Sequence, residues 1–348
     1  MLTANAWSIQ LWKVCPKTIY NKPRENARRM CKKGRGLVLP SRGAGEATCA
    51  SKPLHTFKHG NEHNLHSLSL SPDGENFLAA DETRISLWNL DYNKRTTVFD
   101  LLHFDKAKTQ GLVSSASFNQ QGQDCMFLYT TSRGTINVCD FRERSDFSAR
   151  PSLQLSTSLA NNYKQDAYSK WLDYVSSATL LGDTKQIVSR DYLSVKLWDL
   201  RGTGDLPLYS AQVTDYMERN LQNLHEQDSL DDEFFMNVSP DGRHLVTGGY
   251  NKSAHVIDIA ATTNTVVQCN YNPTKNSQAG KLKTYNKQKR VVGFEGETLK
   301  MDSSKQVTLG AWAPIQTPSK NSPFSHTMAV SYRNCIYMYN GCTAEPKL

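Results

Sequence analysis

An internal repeat limits the fold of this chain more than any other feature. Six segments share one pattern: LTANAWSIQLW ending at Trp12, FLAADETRISLW at Trp88, LYTTSRGTINVC at Cys139, IVSRDYLSVKLW at Trp198, LVTGGYNKSAHVI at Ile257 and AVSYRNCIYMY at Tyr339. Each joins a short apolar strand to an alternating one, such as Ile85-Ser86-Leu87-Trp88, through a polar turn of three to five residues. Alternation with period 2 marks a strand with one covered face, so each segment predicts a β-hairpin. Upstream of four hairpins lies another strand and turn: SLSLSPDG (67–74), SASFNQQG (115–122), FMNVSPDG (235–242) and LGAWAP (309–314). The unit is a three-strand meander, completed by a fourth strand in the connection, and such units become stable by stacking on one another.

Trp88-Asn89 and Trp198-Asp199 follow the last strand of their hairpins, and SPDG stands some seventeen residues before Trp88. This resembles the WD repeat, whose units form four-stranded propeller blades. The predicted class is all-β, a WD-repeat β-propeller. The hairpin ends are spaced by 76, 51, 59, 59 and 82 residues, all longer than the roughly 40–45 of a minimal WD unit. Long loops therefore interrupt the blades, and loops on a rigid scaffold are where binding is expected.

The positive charge is concentrated. Between Lys13 and Lys58 stand twelve basic residues and two acidic ones, a local sum of +10 against +8 for the whole chain, so the remaining body is mildly acidic. Glycine, proline and serine accompany the basic residues, which marks a loop or arm. RRMCKKGRG (28–36) is either a solvated loop or a contact for an acidic partner, a nuclear address or RNA. KLKTYNKQKR (281–290) carries the same two readings.

The eight cysteines contain no C-x-x-C pair, so reduced structural thiols are expected. His59, His63 and His66 lead into an alternating strand that sends His63 and His66 to opposite faces, which suits hydrogen bonding better than metal ligation. No run approaches the roughly 18 apolar residues of a membrane span, and the first twelve residues lack a basic leader and an apolar signal core. A cytosolic protein with nuclear access open is expected, with no membrane partner and no metal or other cofactor.

In order along the chain, NEHNLHSLSLSPDGENFLAADETRISLWNL, FLYTTSRGTINVCDFR, SRDYLSVKLWDL and the stretch from DYMERNLQNLHEQDSLDDEF to GGYN resemble the B-type regulatory subunits of protein phosphatase 2A. SRDYLSVKLWDL (189–200) is the most specific piece, and KQVTLGAWAP (305–314) resembles the opening of the family's last blade. The family's propeller has seven blades. By this resemblance the chain holds about five complete blades plus a partial one, beginning with the closing hairpin of a second blade. The expected segments are 1–14 (closing hairpin of the partial blade), 15–58 (basic insertion or hairpin arm), 59–341 (propeller body) and 342–348 (tail).

The resemblance implies a non-catalytic regulator that docks on the phosphatase scaffold subunit and presents phosphoproteins to the catalytic subunit. The insertion falls where the family has a scaffold-gripping arm, which places Arg24, Arg28, Arg29, Lys32 and Lys33 at that contact. The family reads substrates in a groove across the top of the propeller. Its acidic pair falls on Asp81 and Glu82, and its apolar ridge on Lys106, Thr109 and Leu112, of which only Leu112 is apolar. Its Phe-Asp-Lys falls on Asp231-Asp232-Glu233, so the groove should be more acidic and less apolar here. Tyr216 completes the groove set. His63 and Asn64 replace the family's Tyr-His beside it. Arg190, Asp191 and Tyr192 sit in a blade turn, where turn chemistry and packing compete with binding.

No H-E-x-x-H, Walker loop, G-x-S-x-G or zinc-deaminase pattern is present, and the glycines of GRGLVLPSRGAG lack a surrounding strand–helix unit. Catalysis by the chain itself is not expected. The alternative is a WD scaffold of another complex, associated with RNA or a ribonucleoprotein through Arg24–Arg35. That arm has only Tyr20 nearby as a stacking aromatic, which leaves nucleic acid the lesser partner.

Overall fold

A computed structural model describes residues 1–5, 8–19, 46–58, 64–92, 95–100, 111–119, 126–141, 151–157, 169–182, 185–202, 206–213, 233–250, 252–268, 307, 310–312, 325–332 and 335–342. The chain divides into two compact units, Met1–Leu65 and His66–Leu348.

The first unit holds one antiparallel sheet of β1 (Leu2–Ala4), β2 (Ser8–Ile19) and β3 (Glu46–Lys58). Ile9 and Phe57 face each other across β2 and β3 and are buried. The Trp12 indole N–H donates to Thr3 Oγ1 at 2.8 Å, locking the first hairpin. Beyond Trp12 the sheet thins to a two-stranded ribbon. Residues 49–56 of β3 are exposed in succession, so both faces of that strand are bare. Both ends of the 15–58 stretch are thus strands of this ribbon, while 20–45, with all five basic arm residues, lie outside the described residues.

The second unit is a series of antiparallel meanders, as the repeat predicts. Four sheets have four strands each: β4 to β7 (Leu65–Leu70, Asn76–Asp81, Arg84–Asn89, Arg95–Asp100), β8 to β11 (Val113–Phe118, Met126–Thr131, Thr135–Asp140, Leu153–Ser156), β12 to β15 (Val175–Leu181, Gln186–Asp191, Ser194–Asp199, Tyr209–Gln212) and β16 to β19 (Met236–Val238, His244–Gly248, Ser253–Asp258, Thr263–Gln268). A fifth has three described strands, β20 (Gly310–Trp312), β21 (Ser325–Tyr332) and β22 (Cys335–Cys342). The architecture is all-β, of the WD propeller class. Six sheets are described where about five full blades and a partial one were expected. Four are complete, and two have three strands.

Each blade is fixed by local chemistry the sequence repeats. In SPDG, the Ser71 and Ser239 hydroxyls bond the Asp73 and Asp241 carboxylates, and the same hydroxyls accept N–H bonds from Asn76 (3.1 Å) and His244 (2.9 Å). Gly74 (φ 73°) and Gly242 (φ 71°) close these turns in the left-handed region that favours glycine. The hydrogen bond from Ser71, followed by that from the Glu75 amide, holds the Asp73 carboxyl below its ordinary range. The Trp198 indole donates to Ser189 Oγ at 2.8 Å, nine residues back, as Trp12 does to Thr3. Ala79 stands nine residues before Trp88; there the ring stacks on Phe77 and Arg95 lies over it, 5.9 Å from the centroid.

Apolar faces of successive blades form the core. Leu78, Ile85 and Phe99 pack with Ala116, Phe127 and Tyr129; Leu128 and Ile136 with Ile187 and Trp198; Val188 and Val195 with Leu245 and Ile257; Val246 and Ala254 with Met328 and Val330. Serine side chains then tie the first strand of one blade to that of the next. Ser67 Oγ donates to Ala116 O at 2.6 Å, Ser114 Oγ to Val175 O at 2.6 Å, Ser117 Oγ to Ala178 O at 3.0 Å and Ser176 Oγ to Phe234 O at 2.8 Å. These bonds satisfy carbonyls that a strand at a sheet edge would otherwise bury without a partner.

Candidate functional site

The second-to-third-strand turn of a blade meets the incoming chain of the next blade at one end of the stack. The Val113 amide donates to Glu82 O at 2.9 Å, and the Val307 amide to Gly249 O at 2.9 Å. Leu112 exchanges bonds with Ser132 in the β9–β10 turn, its amide donating to Ser132 Oγ at 3.0 Å and its carbonyl accepting from Ser132 N at 2.8 Å. Thr157 Oγ1 donates to Gly134 O at 2.9 Å, and also reaches Asp173 O at 3.3 Å. The backbone is pinned at each of these points, and side chains that leave them are held on a firm support.

Asp81 and Glu82, adjacent in sequence, have different roles. Asp81 is 0% exposed, and its Oδ1 accepts bonds from the Thr83 amide (2.8 Å), the Thr83 hydroxyl (3.1 Å) and the Arg84 amide (2.5 Å). It is a turn acceptor, spent on the β5–β6 hairpin. Glu82 reaches outward, its side chain 38% exposed and its Oε1 3.5 Å from His66 Nε2. Leu112, 46% exposed, follows on the same rim.

Sequence reasoning missed Tyr174. Its hydroxyl donates to Glu233 Oε1 at 2.5 Å. Burial above all, then this hydrogen bond and the charges of Glu233 and Glu82, push the phenol well above its ordinary pKa. Both carboxylates therefore act on one phenol, and the structure brings Glu82, Leu112, Tyr174 and Glu233 into one acidic rim with an apolar residue and an aromatic ring. The only sequence signal was the position of Tyr174 at the entry to an inner strand, the place Leu112 and Glu233 also occupy. Asp232, Tyr216, Lys106, Thr109, Asp231 and His63 lie outside the described residues.

Arg190, Asp191 and Tyr192 serve the turn and the packing. Asp191 Oδ1 accepts from the Leu193 (3.1 Å) and Ser194 (2.5 Å) amides, and its Oδ2 lies 2.6 Å from Lys196 Nζ, with both side chains buried. The buried Arg190 guanidinium lies over the Phe234 ring, 6.0 Å from its centroid, and Tyr192 is buried. Among the described residues no three His, Cys, Asp or Glu side chains converge as metal ligands would, and no helix is long and apolar enough to cross a membrane.

Comparison with known proteins gives the same repeat and narrows it. The WD40 family (WD domain, G-beta repeat) matches residues 51–89 and 230–258. The chain is 25% identical over 312 residues to the serine/threonine-protein phosphatase 2A regulatory subunit phr2AB of Dictyostelium discoideum, covering 86% of this chain and 61% of that protein. It is 28% identical over 258 residues to the phosphatase 2A regulatory subunit sur-6 of Caenorhabditis elegans (72% of this chain, 51% of that one). To the protein phosphatase PP2A 55 kDa regulatory subunit of Drosophila melanogaster it is 29% identical over 265 residues (74% and 52%). The chain thus spans between 51% and 61% of the length of these relatives. The chain is all-β, of the β-propeller class, carries two segments that match the WD40 repeat, and is similar over most of its length to regulatory subunits of protein phosphatase 2A.

Proposed function

We propose that the chain is a non-catalytic, substrate-selecting regulatory subunit of a type 2A serine/threonine phosphatase, working in the cytosol with access to the nucleus. The carrying observation is the match to phosphatase 2A regulatory subunits along 72–86% of the chain. In this reading the rim of Glu82, Leu112 and Glu233, extended by Asp232 and Tyr216, receives a basic segment of a phosphoprotein. Asp81 contributes by fixing the turn that carries Glu82. The phosphosite, elsewhere on the substrate, then reaches the catalytic subunit.

The scaffold subunit is met by the arm, through Arg24, Arg28, Arg29, Lys32 and Lys33. A feature of the ribbon supports an acidic partner there: Lys13 and Lys52 stand directly opposite each other on β2 and β3, both exposed. Like charges in register destabilise a two-stranded ribbon, and an acidic surface would relieve them.

The test is co-elution of the purified chain with scaffold and catalytic subunits, followed by dephosphorylation assays. Assembly should weaken with rising salt. Glu82→Arg should leave assembly intact and slow dephosphorylation of a substrate with a basic flanking segment by about tenfold, a loss of about 1.4 kcal/mol of transition-state stabilisation. Unchanged rates on every substrate tested would remove the rim from the mechanism. A folded chain that never joins the phosphatase would remove the whole reading.

A further inference from the structure

Leu112, Tyr174 and Glu233 stand at matching places where the chain enters successive blades, and the serine ties set their register. Ser114 Oγ donates to Val175 O at 2.6 Å, next to Tyr174, and Ser176 Oγ donates to Phe234 O at 2.8 Å, next to Glu233. The Met236 amide donates to Ser177 Oγ at 3.3 Å, which ties the second of these junctions again. Each backbone is also held from its other side. The Tyr174 amide donates to Trp171 O at 3.3 Å, in the short helix Ser169–Leu172. The buried Phe234 ring meets the Tyr250 ring edge-on, with centroids 4.9 Å apart, and the Arg190 guanidinium lies over it. The Tyr174 hydroxyl and the Glu233 carboxylate therefore meet, at 2.5 Å, between two backbones fixed on either side of the contact.

A surface glutamate samples several rotamers, and ordering it when a ligand arrives costs affinity. The phenol removes that cost in advance. It occupies Oε1 of Glu233 and, among the described residues, leaves Oε2 without a hydrogen bond. Being neutral, it orients the carboxylate without cancelling its charge, as a lysine or arginine in the same place would. Burial, the bond to Glu233 and the charges of Glu233 and Glu82 keep the phenol protonated far above neutral pH, so it stays a donor wherever a basic segment is cationic.

We propose that Tyr174 is the positioning residue of the rim: its hydroxyl presets the Glu233 carboxylate to receive a lysine or arginine side chain of the bound segment. This rests on the reading of the rim as the receptor for a basic segment, and adds the residue that orients one of its two carboxylates.

The test uses the full purified chain and two fluorescein-labelled peptides, one lysine-rich and one with serine at each lysine position, with fluorescence anisotropy as the readout. The lysine-rich peptide should bind more tightly, and Glu233→Gln should raise its dissociation constant about fivefold. Tyr174→Phe keeps the ring, removes only the hydroxyl, and should raise it about threefold. In the Glu233→Gln background the same change should add nothing, a result that a purely structural tie would not produce. Tyr209→Phe removes another hydroxyl bonded across two blades, to Thr262 O at 2.9 Å at the opposite end of the strands, and should leave the affinity as it was. If Glu82→Arg and Glu233→Gln weaken binding but Tyr174→Phe does not, or if the effect of Tyr174→Phe persists without the Glu233 carboxylate, the positioning role is wrong and the rim reading stands. Equal binding of both peptides, or a preference that neither carboxylate variant reduces, would remove the rim reading and the positioning role together.

Discussion

Folding stability should fall by about 3 kcal/mol between pH 6.5 and pH 4 because of His255 alone. This histidine on β18 is 6% exposed, with Nδ1 3.3 Å from Asn264 Oδ1. Burial, then the charge of Arg190, pushes its pKa down to about 4 from 6.5. Below pH 6.5 the unfolded chain takes up a proton that the folded chain refuses until about pH 4, so the unfolded state is favoured progressively as pH falls. The contribution is complete above pH 6.5. A gap of about 2.5 pH units at 1.36 kcal/mol each gives the figure of about 3 kcal/mol. Urea unfolding followed by tryptophan fluorescence at pH 7.5, 6, 5 and 4.5, on the wild-type chain and on His255→Asn, isolates the histidine from the carboxylates that titrate in both. The variant's deficit at pH 7.5 should shrink by most of that amount by pH 4.5. Parallel stability curves would refute the reasoning.

Lys196→Met should cost about 3 kcal/mol, because it leaves the Asp191 carboxylate buried while the Leu193 and Ser194 amides still bond it; denaturant midpoints measure this, and adding Asp191→Asn should restore part of the loss. Ser114→Ala removes the donor to Val175 O and should cost about 1–2 kcal/mol, with faster amide exchange in β8 and β12. Tyr174→Phe removes the bond to Glu233 and should cost about 1 kcal/mol, reduced by the part exposure of the carboxylate; a calorimetric scan checks it.

What was legible in the sequence was local. Period-2 alternation up to Trp88, Trp198 and Tyr339 marked the strands, and SPDG marked its turns, because both signals arise within a dozen residues. The serine ties were visible as letters in SLSLS, VSSASF and VSSAT but not as structure. A serine in an alternating strand reads as facing water, and only the neighbouring blade, about fifty to sixty residues away in the chain, supplies the carbonyl. Asp81 and Glu82 read as an acidic pair for the same reason. Whether a turn aspartate faces ligand or its own backbone depends on the Thr83 and Arg84 amides, and the structure shows them bonded to it. Tyr174 had only its place at the entry to β12 as a signal, since its meaning depends on Glu233, 59 residues on at the entry to the next blade.

The rim also shows how a fold can persist at 24–29% identity while its exposed side chains change. Glu82 is held by its backbone, through the Val113 amide and the buried Asp81 turn, and its side chain contributes little to that scaffold. Substitution of a half-exposed side chain on a pinned backbone costs within about 0.5 kcal/mol. Substitution of the aspartate beside it strips three hydrogen bonds from a buried turn. Adjacent carboxylates are therefore under opposite constraints, and charge at the rim can be retuned at Glu82 or Leu112 without disturbing the blades, whereas Glu233 also holds the Tyr174 hydroxyl. Under the proposed function, specificity would be set at the residue after the turn aspartate and at the entry to the next blade, where the scaffold supplies position and leaves the chemistry open.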